Sequence, residues 1–223
     1  MKNKEQSGEQ SQRFGDLPRK NPETKYPVKP KDSASLIVLK NNTGKLQVLM
    51  GRRGRKAVFS NVYVFAGGKV EATDSLPNPA SELKNTLSER ISTSPEKSTS
   101  FAMAAVRETF EETGIVVAPG EIRLMGMVSE TAYEGECHWL LFLFEVTRAI
   151  AHDEIANYEM NEGTLEWLKR TEIDQLTLPT TDRDIIWPLI NQYEGGYFAC
   201  HIDCRTEPMT WNVLEGWAST NTS

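Results

Sequence analysis

The sequence predicts a single α+β domain within a chain of 223 residues. Three observations carry that expectation. Short apolar runs are bounded by Asn, Gly and Pro, which is how strands read. One stretch, FAMAAVRETFEETGI at 101–115, has the make-up of a helix with an apolar side, closed by Gly114. No segment repeats another, so one core is the economical account.

Residues 1–32 are rich in Lys, Gln, Ser, Glu and Pro and read as a tail, anchored at most through Phe14, Leu17 and Tyr26. The domain is expected over 33–218, with 219–223 as a C-terminal tail. Ser35–Lys40 reads as a buried strand, Asn41-Asn42-Thr43-Gly44 as a turn, and Leu46–Met50 as the returning strand. Gly51–Lys56 follows, carrying Arg52, Arg53, Arg55 and Lys56. This run is either a solvated turn or an anion-binding edge, since arginine forks match phosphate geometry. Asn61–Phe65 reads as a strand broken by Ala66-Gly67-Gly68, where paired glycines allow close backbone approach to a ligand.

Within 74–99, a short amphipathic helix is expected at about 79–91 between Pro-rich and Ser/Thr-rich ends. Ser98 or Ser100 could start the acidic helix. Glu121–Val128 and His138–Val146 read as strands, the second apolar enough for a sheet centre. After an acidic loop at 147–163, Thr164–Leu168 reads as a strand and Thr171–Gln175 as a helical turn. Leu178-Pro179-Thr180-Thr181-Asp182 offers an N-cap for a helix over Arg183–Tyr193, and Tyr197–Ile202 reads as the last strand. Trp211 and Trp217 are expected against the body.

Composition narrows the functional classes. The net charge of −6 argues against nonspecific nucleic-acid binding and against an anionic membrane surface. The apolar run Trp139–Phe144 is far too short to span a bilayer, and residues 1–32 hold no secretory apolar run. Three cysteines do not form a disulfide framework, so a cytoplasmic protein is expected. Cys200-His201-x-x-Cys204 lacks a fourth zinc ligand and reads as a half-buried strand.

The chemistry centres on residues 107–114. Glu108, Glu111 and Glu112 stand at i, i+3 and i+4, on one helix face. Like charges at that spacing destabilise a helix by about 0.2–0.5 kcal/mol per pair. Such a face is either simply solvated or compensated by a hard divalent cation, which takes carboxylate oxygens. The upstream Gly67-Gly68 and an apolar opposite side at Phe101, Ala105 and Phe110 favour the cation.

Arg107-Glu108-Thr109-Phe110-Glu111-Glu112-Thr113-Gly114-Ile115 resembles the second half of the Nudix box, Arg-Glu-U-x-Glu-Glu-x-Gly-U with U aliphatic. Thr109 departs from the first aliphatic place. Gly68 followed after five residues by Asp74 resembles the first half, where the family usually has Glu. The arginine would then fall at position 82, but it stands at 107, so an insertion of 25 residues splits the box. This resembles a Nudix subgroup with an insertion inside the box, here at 75–98, and with Pro where this chain has Ala66.

The resemblance covers roughly residues 34–200. It implies a Nudix-type α/β/α sandwich around a mixed β-sheet. It also implies hydrolysis of the pyrophosphate bond in a nucleoside diphosphate linked to another moiety, with Mg2+ or Mn2+ as cofactor. Glu108, Glu111 and Glu112 would hold the metal with a Gly67 carbonyl, and Arg107 would orient a helix glutamate. The general base would be Glu162, then Glu159, with Glu111 also in the catalytic set; Glu130, Glu134 and Glu136 lie on another rim loop. Arg52, Arg53, Arg55, Gly68, Lys69 and Trp167 would contact substrate. Tyr63, Phe65, Tyr133, Trp139 and Trp167 could each stack a base or pack in the core. The expected partner is a small-molecule nucleotide, with a homodimer open. The competing expectation is a Nudix-fold sensor that binds nucleotide without turnover.

Overall fold

The computed structural model describes residues 30–42, 45–54, 61–75, 95–134, 137–155, 158–160 and 163–219. The expected helix at 79–91 lies outside these residues, as do Arg55, Glu136 and Glu162.

Two sheets share the domain. The larger has six strands in the order β11-β10-β6-β7-β1-β5. These are β1 (Lys31–Ile37), β5 (Ala66–Lys69), β6 (Ile122–Tyr133), β7 (Cys137–Val146), β10 (Tyr197–Asp203) and β11 (Thr210–Trp217). β1 runs parallel to β7 and β10 parallel to β6, while the other neighbours are antiparallel, so the sheet is mixed. The smaller sheet holds β2 (Leu39–Asn42), β3 (Lys45–Arg53), β9 (Gly163–Lys169) and β8 (Glu159–Met160), with β4 (Tyr63–Val64) paired to β3.

Helix α1 (Pro95–Thr113) covers one face of the large sheet. Phe101, Ala102, Ala104 and Ala105 pack there with Leu36, Phe142 and Phe144. Phe101 stacks on Phe142 with ring centroids 3.7 Å apart. The other face is covered by a π-helical turn, Asp182–Ile186, that runs into α2 (Trp187–Gln192). Ile185, Ile186, Trp187 and Leu189 meet Val128, Phe198 and Ile202 in a second core. The two cores flank the sheet in an α/β/α sandwich.

Several sequence expectations need correction. The strand expected at 35–40 is two strands, because the chain leaves the large sheet at Val38 to pair with β3 in the small one. Gly67 and Gly68 do not break a strand: they form β5 and pair with Ser35 and Ala34. Arg52 and Arg53 belong to β3, not to a turn. The N-cap expected within Leu178–Asp182 falls at Thr181, before the π-helical turn, but its side chain makes no capping bond. Tyr197–Asp203 is followed by one more strand, β11; as expected Trp217 packs on the body, its ring tilted against buried Tyr197 with centroids 4.9 Å apart, whereas Trp211 is exposed. Phe110 is also exposed; the buried positions of α1 near its end are Thr109 and Thr113. α1 stops where expected, with Gly114 at φ 75° and its N–H donating to the Phe110 carbonyl at 2.8 Å.

Among the described residues, no helix is long and apolar enough to cross a membrane.

Candidate active site

The site is built where the C-terminal half of α1 crosses β5. Gly67 and Gly68 are there because the neighbours come close. A Cβ at Gly67 would lie 2.3 Å from Ser35 Oγ and 2.7 Å from the Ala34 carbonyl oxygen. A Cβ at Gly68 would lie 2.2 Å from Glu108 Oε1. Glycine therefore lets the helix carboxylates rest directly on the strand backbone. The Gly67 N–H donates to Glu112 Oε2 at 3.2 Å, and the Gly68 carbonyl accepts from Ser33 Oγ at 2.5 Å.

Arg107 gathers the surrounding acids. Its Nε donates to Asp74 Oδ1 at 2.9 Å and its Nη2 to Asp74 Oδ2 at 3.2 Å. Its Nη1 donates to Glu111 Oε2 at 3.0 Å and pairs with Glu108 Oε1 at 3.0 Å, while Nη2 also reaches the Lys69 carbonyl. These contacts hold the guanidinium protonated well beyond its ordinary range, the Asp74 hydrogen bond contributing most. Asp74 is buried in a short 3-10 turn, Ala72–Ser75, and also accepts from the Glu71 N–H at 2.8 Å. Asp74 thus fills its place in the split motif as an anchor for Arg107.

Glu108 is raised above the ordinary carboxylate range. Burial is the main cause, Arg107 opposes it, and Glu111 and Glu71 add to it. The site thus carries more negative charge than Arg107 neutralises. A divalent cation fits that donor set in chemistry: hard carboxylate oxygens, excess negative charge and adjacent strand carbonyls. As the side chains stand, no three acidic, imidazole or thiol groups among the described residues are gathered tightly enough to hold one. Glu108 and Glu111 are turned onto Arg107 instead.

A cleft of about 290 Å3 opens beside this edge, lined by Gly67 and Glu112 and by Ser33, Ser35, Arg53, Phe65 and Trp139. Glu130, Tyr133, Glu134, Thr181 and Asp182 line it too. The rim loop expected to carry Glu130 is instead strand β6 at that residue, and Asp182, like Ser33, Ser35 and Thr181, is a cleft residue that the sequence alone did not place there. The signal was present for Glu130: it shares its strand parity with the buried Val128, so alternation turns it inward. Beyond it β6 carries one extra residue before Tyr133, and Ala132 takes φ 56°. Such bulges bend a strand and re-aim its side chains.

The other expected residues divide. Arg53 lines the cleft. Arg52 lies outside its lining; it bonds Asn61 Oδ1 at 3.3 Å and pairs with Glu166 at 3.8 Å. Lys69 is exposed at the end of β5 and contributes its carbonyl to Arg107. Trp167 does not line the cleft; it packs on the core from β9 opposite Leu49, because β9 turns that position to the body of the domain. Glu159 is exposed on β8, away from the cleft lining. Tyr63 donates to Glu166 Oε2 at 3.0 Å.

Comparison with known proteins agrees with this geometry. Residues 90–191 match the family model of the NUDIX domain. The mutator MutT protein from Bacillus halodurans superposes with a TM-score of 0.53 at 21% identity, over 82% of this chain and 97% of that one. A NUDIX hydrolase from Alicyclobacillus acidocaldarius superposes with a TM-score of 0.53 at 14% identity, over 73% and 91%. At these identities the superpositions speak for the fold. No curated protein matches the sequence.

Proposed function

We infer, for a chain that belongs to the Nudix hydrolase superfamily, that its reaction is hydrolysis of the pyrophosphate bond in a nucleoside diphosphate linked to a further group, with Mg2+ or Mn2+ as cofactor. The observation that carries this reading is the seating of Glu108 and Glu112 on Gly68 and Gly67, at the edge of a cleft of small-molecule size.

Glu108 and Glu112 are the metal-holding residues in this reading, with Glu111 and the Gly67 carbonyl as further oxygen donors. The bound cation would supply charge neutralisation on the phosphate oxygens and a more acidic water. Arg107, fixed by Asp74, orients Glu108 and Glu111. Arg53 stands on the cleft wall, where its guanidinium can meet a phosphate. Water oxygen bonds to one phosphorus and the bridging P–O bond breaks, releasing a nucleoside monophosphate and a phosphorylated second product. The water proton passes to a carboxylate, Glu162 or Glu111.

The test is a product-resolved screen with Mg2+ and Mn2+ over nucleotide sugars, dinucleotides, coenzyme A and modified nucleoside triphosphates. The expected result is metal-dependent mononucleotide release that Glu112→Gln abolishes in a folded protein. Undiminished turnover by that variant would sink the metal assignment. Nucleotide binding without turnover across the panel would make the chain a sensor.

A further inference from the structure

Lys31 opens β1 on the face that the cleft uses. Side chains alternate along a strand, and Ser33 and Ser35 of the same strand line the cleft, so Lys31 shares their face. It pairs in register with Trp139, another lining residue. Its Nζ lies 5.3 Å from the Trp139 ring centroid and donates to Cys137 Sγ at 3.4 Å. An aromatic face and a thiol hold an ammonium in place without neutralising it.

Arg53 reaches the same rim from β3 of the small sheet, and among the described residues it is the one base of the cleft lining. The two cations bear on one carboxylate, Glu134: burial raises it, while Arg53 and then Lys31 pull it down. Glu134 sits at φ 52° where the chain turns from β6 to β7, and it lines the cleft as well. In a chain of net charge −6, an anionic substrate needs such local cations to be drawn in.

Position decides what they meet. Gly67 and Gly68 pair with Ser35 and Ala34, so Lys31 lies three to four positions along β1 from the glutamate edge. At about 3.3 Å per residue that is roughly 10–13 Å. The two phosphates of one anhydride, held at that edge, do not reach the rim.

We propose that Lys31 and Arg53 form a rim subsite for a further phosphate of the substrate, one outside the scissile pyrophosphate, with Glu134 engaging the two cations until that phosphate displaces it. This rests on the hydrolase reading above. It narrows the substrate class to molecules with a third phosphoryl group, carried on a sugar or at the end of a polyphosphate chain, in preference to nucleotide sugars and dinucleotides that lack one.

Kinetics on the full chain use three pairs that differ by one phosphate: NADP+ with NAD+, coenzyme A with its 3′-dephospho form, and ATP with ADP. The first two pairs place the phosphate on a sugar, the third at a chain end. The wild type is expected to favour the more phosphorylated member of at least one pair by about fivefold or more in kcat/KM, as one exposed ion pair allows. Rising salt should shrink that preference. Lys31→Met keeps the stem over Trp139 and removes the charge, so it should bring the ratio to within about twofold of unity, with the loss falling on KM. Lys31→Arg should restore it. Glu134→Gln should act in the opposite direction and lower KM for the phosphorylated member, because the competing carboxylate is gone. Absence of preference in every pair, Lys31→Met with wild-type KM and preference, or a raised KM in Glu134→Gln overturns the subsite and leaves the hydrolase reading intact. If nothing is turned over, the hydrolase reading fails separately, and equilibrium dialysis of the same pairs decides the subsite. Tighter binding of the phosphorylated member that Lys31→Met loses upholds it; equal binding, or none, overturns it.

Discussion

Arg107 and Asp74 are 33 positions apart in sequence and joined by two hydrogen bonds, at 2.9 and 3.2 Å. The pair ties α1 to the end of β5, and it spans the insertion. Replacing Asp74 by Ala removes the anchor and leaves Arg107 held only by Glu108, Glu111 and the Lys69 carbonyl. The expected cost is about 1–3 kcal/mol in urea unfolding, less than for a fully dry ion pair because Arg107 keeps other partners. Turnover should fall with it. Arg107→Lys should lose a similar share, since an ammonium cannot make the two-pronged contact. Wild-type stability in both variants would remove the pair from any anchoring role.

Gly67 and Gly68 should fail differently when each becomes Ala. At Gly67 the new methyl meets the Ala34 carbonyl and Ser35 Cα, which are strand backbone. The β1–β5 pairing must shift, and a loss of about 2 kcal/mol or more is expected. At Gly68 the nearest atoms to the new methyl are the far end of Glu108, its carboxyl group. That side chain can rotate, so stability should change by less than about 1 kcal/mol while turnover falls tenfold or more, roughly what misplacing a catalytic group costs. Denaturation curves and kinetics on the same preparations separate the two, and equal effects on both readouts would contradict the assignment.

What was legible in the sequence was local. The Arg-Glu-x-x-Glu-Glu-x-Gly spacing places three carboxylates on one helix face, and Gly114 marks the helix end; both hold. The apolar strands β7 and β10 were readable as strands, whereas β1 was legible only from Ser35, its start at Lys31 and its end before Val38 being set by pairing with β7. What was not legible depends on partners far away in sequence. β5 looks like a break because glycine is a poor strand former, and only the approach of Ser35 and Glu108 explains it. β11 carries exposed residues along nearly its whole length, so no alternation announces it. Leu178–Asp182 reads as a helix start, and only the packed fold shows that Asp182 faces the cleft. Trp167 and Trp139 look equivalent in sequence; sheet pairing sends one to the core and the other to the cleft.

Thr109 is fully buried in α1, and its hydroxyl has no hydrogen-bond partner among the described residues. The valine side chain has nearly the same shape without the polar group. Thr109→Val should therefore raise stability by about 1 kcal/mol, because a buried unsatisfied hydroxyl is removed. Thermal unfolding reads this directly, and a lowered Tm would show that the hydroxyl is satisfied in solution.

Stability should depend on pH through the cleft acids. Burial pushes Glu130 up to about 8 from 4.5, with Asp182 and Glu134 adding to it and the Thr181 bond opposing. Burial pushes Asp182 up to about 7 from 3.8. In that interval the native state keeps protons that the unfolded chain has released. Stability therefore falls as pH rises, by up to about 1.4 kcal/mol per pH unit for each group, and levels off above the native values. Glu130→Gln should flatten the upper part of this slope between about pH 7 and 8, where Asp182 has already titrated. Urea midpoints from pH 5 to 9 measure it, and a slope unchanged in the variant would exclude Glu130 as its source.

The insertion should be removable without losing the domain. Ser75 Oγ and Ser100 Oγ lie 2.8 Å apart, so the two ends of the intervening chain meet at one point on the fold. Helix α1 begins at Pro95, and the removable span is therefore 76–94 rather than the expected 75–98. Replacing 76–94 with a short Gly/Ser linker shortens a closed loop. That change favours folding by roughly 1 kcal/mol or less, since closure entropy varies only with the logarithm of loop length. The Asp74–Arg107 bonds lie outside the removed span and should hold the junction. Cooperative unfolding within a few degrees of the wild-type Tm is expected, together with an altered preference among nucleotide substrates. Loss of cooperative unfolding in the shortened chain would make residues 76–94 part of the core.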